Sequence, residues 1–244
     1  EDQPDGRTMF ARELEVATRI ALEAGAALRR HQTGPLEVRH KRQGEIVTVA
    51  DLEADAIIRA SLEADFPADA IFSEETADTP ARLSSARVWI VDPLDSTSNF
   101  TEGGDEYSVS IGLSLGGRAV LGVIYNPIRD ELFAGSWGAG VTLNGAPVRA
   151  SERTDLEYAR LIVSRREWRR GLDNLAARLP IRPMASSAYK LARVSAGLDD
   201  GLFSAIPRRQ WDICAGVALV LAARGRASLL DGQEIVFNQP ARAQ

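Results

Sequence analysis

The stretch WIVDPLDSTSNF (residues 89–100) constrains the fold more than any other part of the chain. The apolar run Val88 to Val91 reads as a buried strand that stops at Asp92. Pro93 then removes a backbone donor, a second acid follows at Asp95, and Ser96, Thr97 and Ser98 add three hydroxyls. A buried strand that runs into two carboxylates places them at the edge of a core, not on a solvated face. Like charges that close repel one another unless a cation neutralises them. No His or Cys accompanies the pair, and oxygen-only donors favour a hard cation, Mg2+ before Ca2+. Ser96-Thr97-Ser98 reads as the start of a short helix whose free N–H groups would face an anion. A Mg2+ cluster beside such a terminus describes a phosphate-ester site, with metal-held water as the nucleophile.

Two more acids share this context. Glu74 follows the apolar segment 70–72, and Asp212 opens a helix directly after Trp211. Singly, each has a plain structural explanation: an N-cap for Asp212, a loop charge pair for Glu74-Glu75, a turn start for Asp92-Pro93. Together they form a set of acids at the edges of buried elements.

The remaining chain supplies layers for such a site. Phe10 to His31 carries Leu14, Ala17, Ala21, Leu22, Gly25 and Leu28 at helical spacing and ends at Gly34-Pro35. Residues 36–49 read as two short strands around Gly44, and Asp51 to Asp65 as a helix stopped by Phe66-Pro67. Segments 107–115 and 119–125 alternate as strands about Gly116-Gly117. Segments 131–134 and 141–143 extend the meander to the Asn144-Gly145 turn. Beyond residue 150 the reading is a strand from Arg160 to Val163, then helices from Trp168 to Arg178 and over 187–197. A strand fragment at Leu202-Phe203 and a largely buried helix over 212–224 follow. Helix–sheet–helix layering is expected, with an α+β part over 1–150 that binds metal and phosphate. An α/β part over 151–244 would supply the last acid and substrate contacts within one compact unit.

Composition excludes some partners. Net charge is -5, with acids and bases interspersed and no basic stripe, so nucleic-acid binding has no support. The apolar runs fall short of a membrane span. Cys214 is the one cysteine, so no internal disulfide forms, and residues 1–8 lack the apolar stretch of a signal peptide. A cytoplasmic location is the expectation. His31 and His40 sit in charged surroundings and read as surface residues.

Four stretches, VTVAD (47–51), IFSEE (71–75), WIVDPLDSTSNF (89–100) and WDICAG (211–216), occur in an order that resembles a known superfamily. It is the Mg2+-dependent, lithium-sensitive phosphatases: inositol monophosphatases and 3'(2'),5'-bisphosphate nucleotidases. The resemblance implies an α/β (α+β) fold, a five-layered αβαβα sandwich of the inositol monophosphatase / fructose-1,6-bisphosphatase type, holding two or three Mg2+ ions. It implies that Glu74, Asp92 and the Leu94 carbonyl bind a first metal, and Asp92, Asp95 and Asp212 a second. Thr97 with Glu74 would orient the attacking water, and backbone N–H groups from Asp95 through Ser96 to Thr97 would grip phosphate. Asp95 and Asp212 would also border the substrate. Asp51 would lie in the outer shell or near a weaker third metal. Lys41 would help position a loop over the site, or else be a surface lysine. Homodimers are common in this superfamily.

The chain departs from the family pattern in three places. Ser96 replaces the usual Gly of D-P-L-D-G-T, where a side chain would crowd the phosphate or be tolerated if φ stays negative. Leu221 and Arg224 fall where relatives read E-A-G-G, and loss of that Gly would alter a turn. The chain also ends soon after FNQP (237–240). SSAYK (186–190), VSRRE (163–167) and FNQP lean toward the nucleotidase branch, which removes the 3'-phosphate from 3'-phosphoadenosine 5'-phosphate. Ser186, Ser187 and Arg165 are then candidate contacts for the part of the substrate that does not react. Read without the resemblance, Lys190 is a solvated lysine at a helix start and Arg165-Arg166 a solvated loop. The alternative substrate is inositol 1-phosphate or a related sugar or polyol phosphate. A catalytically weakened binding module is the non-enzyme alternative, favoured only by Ser96, because clustered acids without metal cost stability. A glycosidase would need its two carboxylates opposed across a cleft, whereas Asp92 and Asp95 share one turn.

Overall fold

Period-two alternation in the middle of the chain builds the sheet on which everything else packs. The computed structural model describes residues 9–34, 38–40, 46–172, 176 and 178–240. A short antiparallel pair, β1 (Val38–His40) and β2 (Ile46–Thr48), precedes the main sheet. That sheet contains β3 (Ala70–Ser73), β4 (Arg87–Asp95), β5 (Ser108–Leu115), β6 (Arg118–Asn126), β7 (Glu131–Ser136), β8 (Gly140–Leu143) and β9 (Ala146–Val148), neighbours in that order. β3 runs parallel to β4, and every later pair is antiparallel. Gly116-Gly117 and Asn144-Gly145 take positive φ throughout, as tight hairpins with matching twist require.

Helices are α1 (Ala11–Gln32), α2 (Val49–Asp65), α3 (Thr97–Thr101), α4 (Arg165–Arg169), α5 (Ser187–Ser195) and α6 (Gln210–Ala222). Strand alternation sends β4 residues Trp89 and Val91 to one side, against Ile20 and Leu28 of α1 and Ile58 and Leu62 of α2. Val88 and Ile90 go to the other side, with Cys214 and Val217 of α6. Gly112 and Gly122 let α6 approach the sheet closely: a Cβ on Gly122 would stand 2.1 Å from the Ala215 carbonyl oxygen. A second, parallel sheet has the order β11-β10-β12, from β10 (Leu161–Ser164), β11 (Ile181–Met184) and β12 (Gly201–Leu202). The molecule is thus the expected five-layered sandwich: α1 and α2, the large sheet, α5 and α6, the small sheet, and α4 packed on β10 and β11.

Several elements differ from the sequence expectation. β4 does not stop at Asp92 but continues to Asp95, its register with β5 broken between the two acids so that Pro93 and Leu94 bulge out of the ladder. In place of the helix expected over 168–178 stands the short α4, which begins at Arg165, where Ser164 and Glu167 close a capping box, and ends at Arg169. Residues 173–175 and 177 lie outside the described part. β11 was hidden by Pro183, which it tolerates as an edge strand. The turn at Arg224 is kept despite the missing glycine. Arg224 adopts φ 65°, and Arg224 N–H donates to Leu221 O (3.1 Å) and Gly225 N–H to Val220 O (2.8 Å). FNQP is a structural lock: Phe237 is fully buried, and Asn238 exchanges hydrogen bonds with Arg82.

Candidate active site

Strand and helix ends bring the acids to one edge of the large sheet. Parallel pairing of β3 with β4 sets Glu74 beside the end of β4, and Glu74 N–H donates to Val91 O at 3.2 Å. Asp92 is buried, and its Oδ1 accepts from Leu94 N–H at 3.0 Å, which fixes the bulge. Asp95 ends the strand, and its Oδ2 accepts from Ser186 Oγ (2.7 Å) and Ala188 N–H (2.6 Å) at the start of α5. Asp212, in the first turn of α6, accepts from its own Arg209 N–H at 3.1 Å. Thr97 Oγ1 donates to Asp51 Oδ1 (3.0 Å) and lies 3.3 Å from the Leu94 carbonyl. Asp51 in turn caps α2 by accepting from Thr48 N–H and Oγ1, both at 2.7 Å.

The acids raise one another's proton affinity. Burial pushes Asp92 well above the usual carboxylate range, and the negative charges of Glu74, Asp95 and Asp212 push it further. Asp95 is raised by burial, against the opposing hydrogen bonds from Ser186 and Ala188. Burial first, then Asp95, brings Asp212 up to about 8. Among the described residues, no group of three or more His, Cys, Asp or Glu side chains is arranged to hold a metal ion. Asp92, Asp95 and Asp212 each instead turn one oxygen to a local N–H or hydroxyl donor. The donor set fits a hard cation all the same: every side chain offers oxygen, and a divalent ion relieves the same repulsion that a proton does.

Beside the acids lies a cavity of about 370 Å3, bordered by Asp95, Ser96, Ser187 and Asp212 and by a set of cations. Arg165, Arg166 and Arg169 come from α4, Lys190 from α5, and Arg208 from the segment before α6. Lys190 is therefore not a solvated lysine. It is 1% exposed, its Nζ donates to Met184 O at 3.3 Å, and burial lowers its pKa to about 8. Arg165 is ion-paired to Glu106 at 2.9 Å. A mostly apolar cleft of about 870 Å3 shares Ser187, Lys190 and Arg208 with this cavity but is not lined by Glu74, Asp92, Asp95 or Asp212.

Of the residues singled out from sequence, Glu74, Asp92, Asp95 and Asp212 come together, with Leu94, Thr97 and Asp51 linked to them by hydrogen bonds. Ser186 and Ser187 both border the cavity, and Ser186, 5% exposed, also sits against Asp95 and Ser108. Lys41 lies outside the described residues. Ser96 adopts φ 82°, ψ 54°, so the negative φ that would have made its side chain harmless is not found. Arg166, Arg169, Lys190 and Arg208 were missed. The three arginines share one signal, each lying in a doubled arginine (165-166, 169-170 and 208-209), whereas Lys190 carries none.

The profile of the inositol monophosphatase family matches residues 11–242. Inositol-1-monophosphatase of Mesorhizobium japonicum is 36% identical over 237 residues, 92% of this chain and 88% of that protein. Nus factor SuhB of Escherichia coli K12 is 32% identical over 230 residues, 90% of this chain and 85% of that protein. The crystal structure of extragenic suppressor protein SuhB from Bartonella henselae superposes with a TM-score of 0.83 at 33% identity, covering 92% of this chain and 90% of that one.

Proposed function

The chain belongs to the inositol monophosphatase family, and from that premise we propose that it is a Mg2+-dependent phosphomonoesterase acting on a small phosphate ester. The observation that carries the reading is the convergence of Glu74, Asp92, Asp95 and Asp212, whose charges repel one another beside a cation-lined cavity. Glu74, Asp92 and the Leu94 carbonyl would hold one Mg2+, and Asp92, Asp95 and Asp212 another. When bound, Mg2+ supplies a Lewis acid for the phosphoryl oxygens and lowers the pKa of water. Thr97 donates a hydrogen bond from its hydroxyl to Asp51, which leaves its oxygen lone pairs to accept from, and so orient, the attacking water. The backbone N–H groups of Ser96 and Thr97 hold the phosphate, while Lys190 and Arg208 hold the leaving group's side of the ester.

Inositol 1-phosphate or a related polyol phosphate is the first substrate reading, supported by the inositol-1-monophosphatase relative. One observation favours a second reading, the bisphosphate 3'-phosphoadenosine 5'-phosphate. Five basic side chains border the cavity, with Lys190 buried among them, and a second anionic group would neutralise them better than a neutral polyol. A single buried Cys214 suits the reducing cytoplasm, and a homodimer follows the superfamily's habit.

The test is phosphate release from both esters with Mg2+, with EDTA, and from Asp92→Asn. Release that needs Mg2+ and is lost in the variant is expected, and the ratio of the two rates assigns the substrate. Release that survives EDTA would overturn the metal reading. A folded, Mg2+-loaded protein inert toward both esters would remove both substrates.

A further inference from the structure

Glu167 plays no part in the scheme above, yet its carboxylate is 4% exposed and saturated with donors. Oε2 accepts from Ser164 N–H (3.1 Å) and from the Ser164 hydroxyl. Oε1 accepts from Ala205 N–H (2.7 Å) and Ile206 N–H (3.3 Å), and the Arg208 guanidinium stands 3.5 Å from Oε2. Burial opposes its charge, but the hydrogen bonds from Ser164, Ser204 and Ala205 outweigh it and hold the carboxyl below its ordinary value. The two segments joined here are α4, which carries Arg165, Arg166 and Arg169, and residues 204–208, which carry Arg208 into the same cavity.

We infer that Glu167 is a positioning residue for the substrate cavity: its carboxylate ties α4 to the 204–208 segment and so sets the spacing of the arginines that face the substrate. The inference rests on the phosphomonoesterase reading of that cavity. An amide in place of the carboxylate still accepts from Ala205 and Ile206 but turns an NH2 donor toward the Arg208 guanidinium and the Ser164 N–H, so Arg208 loses its anchor on α4 and the cap of α4 loosens with it.

The experiment is steady-state kinetics of Glu167→Gln on the better of the two esters, with the Mg2+-induced rise in Tm as a second readout. KM is expected to rise at least fivefold with kcat within twofold of the parent, and the Mg2+-induced rise in Tm is expected to be unchanged. Glu167→Asp, which keeps the charge on a shorter arm, should give an intermediate KM, and it carries the test if the amide variant does not fold. An unchanged KM with a lower Tm would make the residue purely structural and overturn the assignment, as would a loss confined to kcat. Wild-type protein that neither hydrolyses an ester nor binds inorganic phosphate with Mg2+ would overturn the reading of the cavity and this assignment together. A working wild type with an indifferent Glu167→Gln would overturn the assignment alone.

Discussion

Ser186 donates its hydroxyl to Asp95 Oδ2 at 2.7 Å from a backbone held at φ 51°. A left-handed conformation costs a non-glycine residue roughly 1 kcal/mol or more, so the acid is gripped at the expense of local strain. The same hydroxyl oxygen accepts from Tyr189 N–H at 3.0 Å and caps α5. Ser186→Ala removes the donor and the cap while keeping the strain, and should cost about 1–2 kcal/mol. The Mg2+-induced rise in Tm should shrink as Asp95 loses one of its two donors from the start of α5, Ala188 N–H alone remaining. Urea midpoints with and without Mg2+ test both, and an unaltered Mg2+ response would detach Ser186 from the metal site.

Stability of the metal-free protein should fall as pH rises from about 5 to about 8. Asp92 and Asp95 sit above the ordinary value of 3.8, and Asp212 reaches about 8. Across that window the folded chain holds more protons than the unfolded one, so raising the pH favours unfolding. Glu53, Glu167 and Asp200, all held low, contribute stability that is lost only as pH falls through their depressed values, below this window. Lys190 acts in the opposite direction, but only above about 8. Mg2+ substitutes for the lost protons, so its effect on Tm should be larger at the alkaline end. Thermal melts in EDTA and in Mg2+ across the range test this, and a Mg2+ effect that shrinks with rising pH would contradict it.

Ser96→Gly should stabilise the protein by about 1 kcal/mol, because φ 82° suits glycine and strains serine. The Ser96 side chain caps nothing in α3, so no hydrogen bond of the cap is lost. A denaturant midpoint that falls in the glycine variant would show a favourable contact of the hydroxyl that outweighs the strain.

Wherever the local pattern dictated the outcome, the sequence was readable. An apolar strand that runs straight into an acid marked Glu74 and Asp92, and the hairpin glycines marked the meander. Backbone angles were less accessible: nothing local distinguishes Ser96 at φ 82° from a serine in an ordinary turn. Lys190 reads as a solvated helix residue because its burial depends on α4, β11 and the segment before α6, all distant in the chain. In the sequence Glu167 is one charge in a basic stretch, with nothing local to single it out. Its meaning depends on residues 205 and 206, which only the tertiary fold brings to it.

Gly122→Ala tests whether the sheet sets the position of Asp212. The new Cβ would lie 2.1 Å from Ala215 O and 2.8 Å from Ala215 C, both backbone atoms of α6, so no side chain can yield to make room. The helix must lift from β6, and Asp212 lies one turn upstream on the same helix. The variant should lose about 2–3 kcal/mol through overpacking, and its Mg2+-induced rise in Tm should fall with it. Gly103→Ala is the control. Gly103 has φ 72° but open space around it, so alanine there costs about 1 kcal/mol of backbone strain and leaves the Mg2+ response alone. Comparing the two by urea unfolding with and without Mg2+ separates general destabilisation from displacement of the acid. If Gly122→Ala were destabilised yet kept a full Mg2+ response, Asp212 would be held by the Arg209 cap and not by the packing of α6 on the sheet.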